Sequence, residues 1–409
     1  MSEAKNDPLS LANMLRPEIR ADPYAWYAQI RGQDPVHWDE PMGFWAITRY
    51  ADVSHIYRDA RFSRAMGFAG AFKRLPEAEQ ERSQPLYAAF SQAMPYTDPP
   101  YHTRLRSLAN KAFTPRAVER IRPHIQSLVD RLLDTVEPDG RMDVMGDFAN
   151  ILLATVIMEL LGLPLSCRAD FKQWSDDLFA TLGVVRYDPQ VMTQALASLD
   201  QATALLRDLY DQARKEPKDD LFTALATVAE EGTRLSHAEL FANTVILLAA
   251  GHETTTNLIG NDTLALLRNP EQMQRLRQDP TLIENAVEEV MRYDNPVQVT
   301  YRVAAENVAL DGKEIQRGQI VNLLLGAANR DPAQFADPDH FDITRAELHH
   351  MGFGAGIHYC IGSPLARLEG QIAFDTLLRR FPNLHLATDT LEWQTHPTFR
   401  GLKSLPVAF

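Results

Sequence analysis

Residues 353–362 read Phe-Gly-Ala-Gly-Ile-His-Tyr-Cys-Ile-Gly and present one cysteine in a glycine-rich loop. A helix is predicted to begin directly after the loop, near Ser363-Pro364, because apolar residues follow at helical spacing. The glycines permit positive φ angles and a close approach of the backbone to a flat ligand. The N–H groups and the dipole at a helix N-terminus stabilise a thiolate. Cys360 is therefore a candidate metal ligand, of the kind that pushes electron density onto haem iron.

This loop resembles the haem-binding signature of the cytochrome P450 family, Phe-x-x-Gly-x-x-x-Cys-x-Gly, with His or Arg two residues before the cysteine. Those positions are filled by Phe353, Gly356, His358, Cys360 and Gly362. The resemblance implies that Cys360 is the axial ligand of haem b, iron protoporphyrin IX, and that Phe353 and Gly354 lie beside the cofactor. A single cysteine in a glycine-rich turn is ordinarily interpreted as a structural residue. The other motifs of the chain favour a metal ligand instead.

The composition is that of a large globular protein, with 409 residues of which 45% are hydrophobic and 23% charged. Since no linker, low-complexity block or internal repeat divides the chain, we expect a single domain over residues 1–409. The net charge of −13 disfavours nucleic acid or an anionic membrane as the main partner. Two cysteines, Cys167 and Cys360, are too few for a disulfide framework or a four-cysteine zinc site, and they fit a reducing compartment.

The sequence also predicts a cytoplasmic protein without a membrane anchor. Residues 1–8 lack a basic segment followed by an apolar one, so no secretory signal is expected. The longest apolar run, Val245 to Ala250, is far too short to cross a bilayer. Family members bound to the endoplasmic reticulum begin with an apolar anchor, so the chain resembles the soluble bacterial type.

Most of the chain has the periodicity of helices. We predict them after Pro115, over Phe148 to Leu161, over Ser198 to Lys215, and from a capping box of Ser236 and Glu239 to Arg268. Strands are predicted at Gly43 to Ile47, in a hairpin turning at Asp311-Gly312, and at Gln319 to Leu325. The fold class is therefore mainly α with a minor β region. The resemblance implies the cytochrome P450 fold, with haem between a long central helix and the cysteine-loop helix.

The predicted long helix carries Ala250-Gly251-His252-Glu253-Thr254-Thr255. Gly251 weakens the helix, and the Thr254 hydroxyl can bond a carbonyl of the preceding turn and open the helix locally. An acid next to an alcohol in such a buried segment suits proton delivery, whereas a solvent-facing polar patch is the ordinary alternative. The segment also matches the family motif Ala/Gly-Gly-x-Asp/Glu-Thr. That match implies that Thr254 holds dioxygen and its protons, that Glu253 relays protons from solvent, and that Ala250 and Gly251 border the cofactor.

Two further motifs match the family. Glu289 and Arg292 form a Glu-x-x-Arg step about 70 residues before the cysteine; alone, such a pair is a weak signal. The resemblance implies a buried ion-pair network that supports the cysteine loop, completed by Arg330 or Arg345. It also implies four groups that hold the haem propionates, namely His102, Arg106, Arg302 and His358. For His102 and Arg106, which share one helix face, an ordinary polar surface is the alternative.

The sequence says less about the residues that bind the substrate. Family position implies that the segments Met66 to Tyr96 and Leu178 to Val185 lie near the substrate. The predicted pocket residues are Ile246, Ala249, Val297, Gln298 and Phe399. They are mostly apolar, as ligand pockets usually are, and Gln298 can offer one hydrogen bond. The same apolar residues are equally suited to a hydrophobic core.

We therefore interpret the chain as a haem-thiolate monooxygenase that inserts one oxygen atom of O2 into a mostly apolar organic molecule, by hydroxylation, epoxidation or dealkylation. A chain of this length leaves no room for a fused reductase, so we expect a monomer that takes electrons from an external ferredoxin and ferredoxin reductase, and ultimately from NAD(P)H. The basic residues proposed for docking are Arg104, Lys111, Arg116 and Arg367. Two alternatives are a peroxide-driven peroxygenase of the same fold, which typically lacks the acid–alcohol pair, and a non-enzymatic haem sensor.

Overall fold

The structure is a computed structural model that describes residues 7–73, 75–181, 188–230 and 233–409. Helices dominate it. The α-helices in chain order are α1 (Pro17–Ala21), α2 (Tyr24–Gln33), α3 (Tyr50–Arg58), α4 (Ala65–Lys73), α5 (Glu77–Phe90), α6 (Tyr101–Ala112), α7 (Pro115–Arg120), α8 (Arg122–Val136), α9 (Asn150–Leu160), α10 (Arg168–Phe179), α11 (Pro189–Lys215), α12 (Leu221–Thr227), α13 (His237–Arg268), α14 (Pro270–Gln278), α15 (Ile283–Tyr293), α16 (Leu325–Ala328) and α17 (Ser363–Arg380).

The strands are short. They are β1 (Val36–Asp39), β2 (Phe44–Ile47), β3 (Phe62–Ser63), β4 (Arg141–Asp143), β5 (Ala229–Glu230), β6 (Thr233–Arg234), β7 (Val299–Ala304), β8 (Val308–Leu310), β9 (Lys313–Ile315), β10 (Ile320–Leu324), β11 (His385–Leu386) and β12 (Pro406–Ala408). The largest sheet has the order β1-β2-β10-β7-β3, and a smaller one has the order β11-β12-β4. The strands β5 and β6 pair with each other, as do β8 and β9. Mainly α architecture with a minor β region is therefore confirmed.

The chain forms two compact units. The first contains the residues up to Ser63, Gln126–Ala149 and Thr254–Phe409. The second contains Arg64–Ile125 and Asn150–Glu253. The residues of α13 belong to the second unit up to Glu253 and to the first from Thr254 onward. The single domain expected from the sequence stays a prediction.

The first unit is built on the five-stranded sheet. Its strand β10 runs parallel to β2 and antiparallel to β7, with Val321 opposite both Trp45 and Arg302. Apolar side chains on the two sides of the sheet pack into separate clusters, because successive residues of a strand point to opposite faces. One cluster includes Ile47 and Val321, and the other includes Ala46 and Leu324.

The second unit is held by one hydrophobic cluster among helices α5, α9, α10, α11, α12 and α13. The helix α9 is apolar on nearly all sides, as expected for a buried helix. A π-helix over Val144–Ala149 precedes it, so the predicted element from Phe148 to Leu161 is not α-helical at its start. Gly162, at φ 70°, ends the segment where the sequence predicts.

The other predicted elements are present, but α11 begins nine residues before the predicted Ser198 and a proline divides one predicted helix. The capping box is present, because the Ser236 N–H donates to Glu239 Oε2 at 2.8 Å and the Glu239 N–H donates to Ser236 Oγ at 3.2 Å. The helix predicted after Pro115 instead divides into α7 and α8. Pro123 has no N–H to donate to the Glu119 carbonyl, which interrupts the ladder at the division. Among the residues described, no helix is both long and apolar enough to span a membrane.

Candidate functional site

The cysteine loop has its shape from two glycines in the left-handed region. Gly354 has φ 72° and Gly356 has φ 65°, where other residues are strained. A Cβ at Gly356 would lie 2.6 Å from the Tyr57 carbonyl oxygen, so the loop also approaches the backbone of α3 closely. The third glycine, Gly362, has an ordinary helical φ of −79° at the N-cap of α17.

The cysteine itself is exposed at the end of this loop. Its N–H donates to the Phe353 carbonyl at 2.9 Å and so closes the loop upon itself. Large apolar neighbours share its exposure, since Ile357 is 50% and Tyr359 37% exposed. Cys360 forms no disulfide with Cys167, the other cysteine of the chain. A soft sulfur ligand surrounded by exposed apolar side chains is the donor chemistry that a flat, apolar haem requires, and the residues present fit that group.

A buried ion-pair network lies behind the loop. Arg292 bonds Glu289 through Nε at 2.7 Å and Nη2 at 2.8 Å, and both side chains are fully buried. Arg345 completes the network, with its Nε 3.3 Å from Glu289 Oε2. Arg330, the other arginine considered, bonds Asp339 instead. Arg292 also donates from Nη1 to the Asn329 carbonyl. Through Asn329 the network reaches the cysteine loop.

Asn329 is the connection that the sequence did not indicate. Its side-chain Nδ2 donates to the Met291 carbonyl at 3.2 Å, and its Oδ1 accepts from the Met351 N–H at 2.7 Å. Met291 packs with Phe353 and Leu258 in a small apolar cluster. The helix α15 is therefore tied to the start of the cysteine loop by both polar and apolar contacts.

The helix α13 runs without a break through the predicted proton-delivery motif. The local opening expected at Thr254 does not interrupt it. A Cβ at Gly251 would lie 3.0 Å from Ile157 Cδ1, so glycine here permits close packing against α9. Glu253 and Thr254 are half-buried, whereas Ala250 is exposed. The motif therefore presents its acid and alcohol at a partly accessible surface.

His252, to which we assigned no role, is fully buried beside this motif. Its ring lies edge-on to Phe171 of α10, with the centroids 5.7 Å apart. Burial, followed by the charge of Lys172, lowers the pKa of His252 to about 4. The side chain is therefore neutral at pH 7 and packs as an apolar group.

The four predicted propionate residues are divided between the two units. In the second unit, His102 is buried on α6, and burial followed by the charge of Arg106 lowers its pKa. The Arg106 Nε donates to Asn110 Oδ1 at 3.1 Å. In the first unit, Arg302 is buried on β7, and His358 is half-buried in a 3₁₀ turn, Gly356–His358.

Tyr57 brings Arg302 together with the cysteine loop. The Arg302 guanidinium lies 4.8 Å from the centre of the Tyr57 ring. The same tyrosine would lie 3.4 Å from a Cβ at Gly354. No sequence motif indicated Tyr57, because it lies about 300 residues from the loop along the chain.

The predicted pocket residues of the first unit are adjacent. Val297 and Phe399 form an antiparallel bridge, and the Gln298 N–H donates to the Thr398 carbonyl at 2.8 Å. The Gln298 side chain is 2% exposed, and its Nε2 donates to the Asn295 carbonyl at 2.7 Å. The Nε2 donor of Gln298 is thus used within the protein, whereas its buried Oε1 has no hydrogen-bond partner among the described residues.

The other substrate positions lie in the second unit. Ile246 and Ala249 are buried on α13. The segment Met66 to Tyr96 forms α4, α5 and a 3₁₀ turn at Met94–Tyr96. Of the predicted segment Leu178 to Val185, residues 182–185 lie outside those the structure describes.

Comparisons with known proteins identify the family of the chain. The profile of the family described as Cytochrome P450 matches residues 71–396. Cytochrome P450 107B1 of Saccharopolyspora erythraea is 45% identical over 366 residues, 89% of this chain and 88% of that protein. Cytochrome P450 monooxygenase PikC of Streptomyces venezuelae is 43% identical over 399 residues, 95% of this chain and 92% of that protein. The crystal structure of P450BioI in complex with hexadec-9Z-enoic acid ligated acyl carrier protein has a TM-score of 0.89 and 39% identity, over 96% of this chain and 99% of that chain.

The fold and the cysteine loop define a haem enzyme. The chain belongs to the cytochrome P450 family and is a monooxygenase of the bacterial type. Haem iron is its cofactor, and its electrons come from a redox partner. The predicted family, fold, cofactor and reaction class are thereby confirmed.

Proposed function

We propose that the Cys360 thiolate would hold the haem iron. The observation that carries this proposal is the exposed sulfur at the end of a loop closed by the bond between Cys360 and the Phe353 carbonyl. When bound, the haem supplies the oxidising chemistry, and a thiolate ligand favours cleavage of the O–O bond. The protein holds the sulfur at the N-terminus of α17, where the helix dipole favours its negative charge.

The two cysteines of the chain provide a matched test. Cys360→Ser should remove the thiolate signature from the Soret band of the ferrous carbon monoxide complex, because serine supplies no sulfur. Cys167→Ser should keep that signature. A thiolate signature that survives Cys360→Ser, or disappears in Cys167→Ser, overturns the assignment.

Glu253 and Thr254 are proposed as the proton-delivery pair. They are consecutive on α13 and half-buried, so the Glu253 carboxylate can exchange protons with solvent, and the Thr254 hydroxyl can hold a proton, as the family motif implies. Thr254→Val should uncouple oxygen consumption from product formation. Thr256→Val is the control, since the Thr256 hydroxyl makes no hydrogen bond within the described part of the chain. Equal coupling in the two variants would contradict the proposed pair.

His102, Arg106, Arg302 and His358 are proposed to hold the haem propionates. His102 offers a ring N–H that can donate a hydrogen bond to a carboxylate. Arginine supplies the charge, because its guanidinium remains protonated and matches a carboxylate in geometry. His102→Ala and Arg302→Ala should each speed haem loss to a scavenger protein, whereas an unchanged rate would count against the residue concerned.

The substrate is proposed to be mostly apolar and bound by shape. The predicted pocket residues Ile246, Ala249, Val297 and Phe399 are apolar, and the Gln298 Nε2 donor is occupied within the protein. A relative whose structure holds a hexadec-9Z-enoic acid on acyl carrier protein supports a long apolar substrate. A spin-state titration against fatty acids, steroids and small polar acids tests this class, and a high-spin shift confined to the polar acids would refute it.

A ferredoxin is proposed as the redox partner, with docking on exposed basic residues. Two of the four residues considered are engaged in ion pairs, since Arg104 pairs with Glu239 and Arg367 pairs with Glu288. Lys111 on α6 and Arg116 on α7 are both exposed, and the docking hypothesis is tested at these two residues.

Charge reversal tests the docking site. The double variant Lys111→Glu/Arg116→Glu should slow reduction by ferredoxin and weaken its salt dependence, because steering depends on complementary charge. The control Arg214→Glu/Lys215→Glu reverses the same number of exposed charges at the end of α11. Equal rates for the two double variants would refute docking at Lys111 and Arg116.

We further propose that residues 1–409 act as one domain in the cytoplasm. A reducing compartment keeps Cys360 available to iron, which supports this location. A single cooperative unfolding transition of the holoenzyme would be expected from one domain, and two separate transitions would refute it.

A further inference from the structure

A second charged cluster lies on the side of α15 next to the buried Glu289 network. Arg367 of α17 bonds Glu288 in a bidentate manner, through Nε at 2.5 Å and Nη2 at 2.9 Å. Both side chains are partly buried, at 29% and 22% exposure. Burial opposes the charge of each group, but the pair outweighs it: the pKa of Glu288 falls to about 2, and that of Arg367 is raised.

His350 fixes the second oxygen of the same carboxylate. Its Nε2 lies 3.0 Å from Glu288 Oε2, and its Nδ1 accepts the Gly352 N–H at 3.0 Å. Because Nδ1 accepts, the ring proton lies on Nε2 and is donated to Glu288. His350 is almost fully buried, so Glu288 is held from two sides in one orientation.

This cluster touches both ends of the cysteine loop. The Arg367 guanidinium lies 4.5 Å from the centre of the Phe353 ring, and its Nη1 donates to the Tyr359 hydroxyl at 3.1 Å. Phe353 supplies the carbonyl that accepts the Cys360 N–H, and Tyr359 directly precedes Cys360. The Arg367 guanidinium therefore contacts both Phe353, which accepts the Cys360 N–H, and Tyr359, which directly precedes Cys360.

These contacts remove Arg367 from the docking surface. Its Nε, Nη1 and Nη2 all donate within the protein, and its planar face lies on an aromatic ring. A carboxylate of a partner would have to displace Glu288, which is already held in bidentate geometry. The side chain is thus built to hold its neighbours.

We propose that Arg367 is a positioning residue for Cys360: held by Glu288 and His350, it fixes Phe353 and Tyr359 and so sets the direction in which the sulfur is presented. The inference rests on the proposed role of Cys360 as the axial ligand. It assigns no contact between Arg367 and the haem.

The expected effect is on the integrity of the thiolate bond. Arg367→Gln removes the positive charge and the planar guanidinium that bonds Glu288 and Tyr359. The cysteine loop should therefore lose its fixed orientation. Conversion of the ferrous carbon monoxide complex from thiolate to thiol ligation should become about tenfold faster, as expected for the loss of a charge-assisted hydrogen bond. Arg367→Lys keeps the charge without the planar fork and should give an intermediate rate.

Tyr359→Phe is the mildest test, because it removes one hydroxyl from a residue that is exposed. The conversion should become about two- to tenfold faster, as for the loss of one ordinary hydrogen bond. The double variant Tyr359→Phe/Arg367→Gln should be no faster than Arg367→Gln alone, since both single changes remove the same contact.

Arg379→Gln is the matched control on the same helix. Arg379 makes an exposed pair with Asp375 at 3.7 Å, and its loss should leave the conversion rate unchanged. Thermal melts of all variants separate a loss of global stability from a change confined to the iron–sulfur bond.

The outcomes distinguish this inference from the assignment of Cys360. If the unaltered protein shows no thiolate signature, the proposed ligand itself is wrong. If it shows the signature but Arg367→Gln and Tyr359→Phe convert no faster than Arg379→Gln, Arg367 is not a positioning residue. If conversion speeds up only in proportion to a lowered melting temperature, the role of Arg367 is merely structural and the inference fails.

Discussion

Glu288 and Glu289 are neighbours on α15, yet they serve different clusters. The side chain of Glu289 is fully buried and bonds Arg292 and Arg345. Glu288 is 22% exposed and holds Arg367 and His350. Successive residues of a helix point in directions about 100° apart, so adjacent acids meet different surroundings. The comparison shows that two glutamates adjacent in sequence can differ in burial, partners and role.

The two clusters differ in what it costs to break an ion pair, because they differ in burial. A fully buried pair is costly to break from one side, because the remaining charge has no water to solvate it. A partly exposed charge recovers some hydration when its partner is lost. Glu289 should therefore matter mainly for folding, and Glu288 mainly for the geometry of the cysteine loop.

The largest effect is expected from Glu289→Gln. It removes the buried carboxylate that Arg292 and Arg345 share. The expected cost is about 3–5 kcal/mol in the free energy of unfolding. Urea denaturation of the holoenzyme measures this cost. A loss no greater than that of Glu288→Gln would abolish the contrast between the two acids.

Arg292→Lys should have the next largest effect. Arg292 donates not only to Glu289 but also to the carbonyls of Asn329, Pro338 and His340. Lysine keeps the charge, but its single ammonium cannot serve all three carbonyls at once, so a buried carbonyl loses its donor at a cost of about 1–3 kcal/mol in the free energy of unfolding. Stability equal to that of the unaltered protein would show that charge alone suffices.

Glu288→Gln should give a smaller and pH-dependent loss, about 1–3 kcal/mol at pH 7. Because folding lowers the pKa of Glu288 from 4.5 to about 2, its contribution is complete above pH 4.5 and disappears as the pH falls toward 2. The stabilities of the variant and the unaltered protein should therefore converge in acid. Urea titrations at pH 7 and at successively lower pH measure the difference, and a gap that widens in acid would contradict the lowered pKa.

The smallest effect is expected where the pair is exposed. Lys172 and Asp176 lie 2.7 Å apart on α10, and their side chains are 48% and 44% exposed. Lys172→Gln should change the free energy of unfolding by less than about 0.5 kcal/mol. A loss as large as that of Glu288→Gln would mean that burial does not rank these pairs.

The sequence was informative wherever the determinants are close together along the chain. The cysteine loop, the capping box and the start of α17 each depend on residues within a few positions of one another. The division between α7 and α8 was not predicted although its determinant is equally local, because Pro123 alone removes the required donor. Such features are set by local backbone chemistry.

Contacts between distant residues were less accessible. Tyr57 reaches the cysteine loop from α3, and Asn329 joins α15 to Met351. Both residue types are common, and neither has a spacing that distinguishes it. The choice between Arg330 and Arg345 likewise required coordinates, since either position suits the network by charge alone.

The internal bond of Gln298 has a consequence for how this enzyme changes over generations. Its Nε2 donates to the Asn295 carbonyl, and its neighbours in the proposed pocket, Val297 and Phe399, are apolar. A substitution that enlarges or reduces one of those side chains should alter which molecules fit and leave the bond between Gln298 and Asn295 in place. Substrate selectivity can therefore change through single mutations that the fold tolerates. Laboratory selection for new substrates should find its first beneficial changes at Val297 and Phe399.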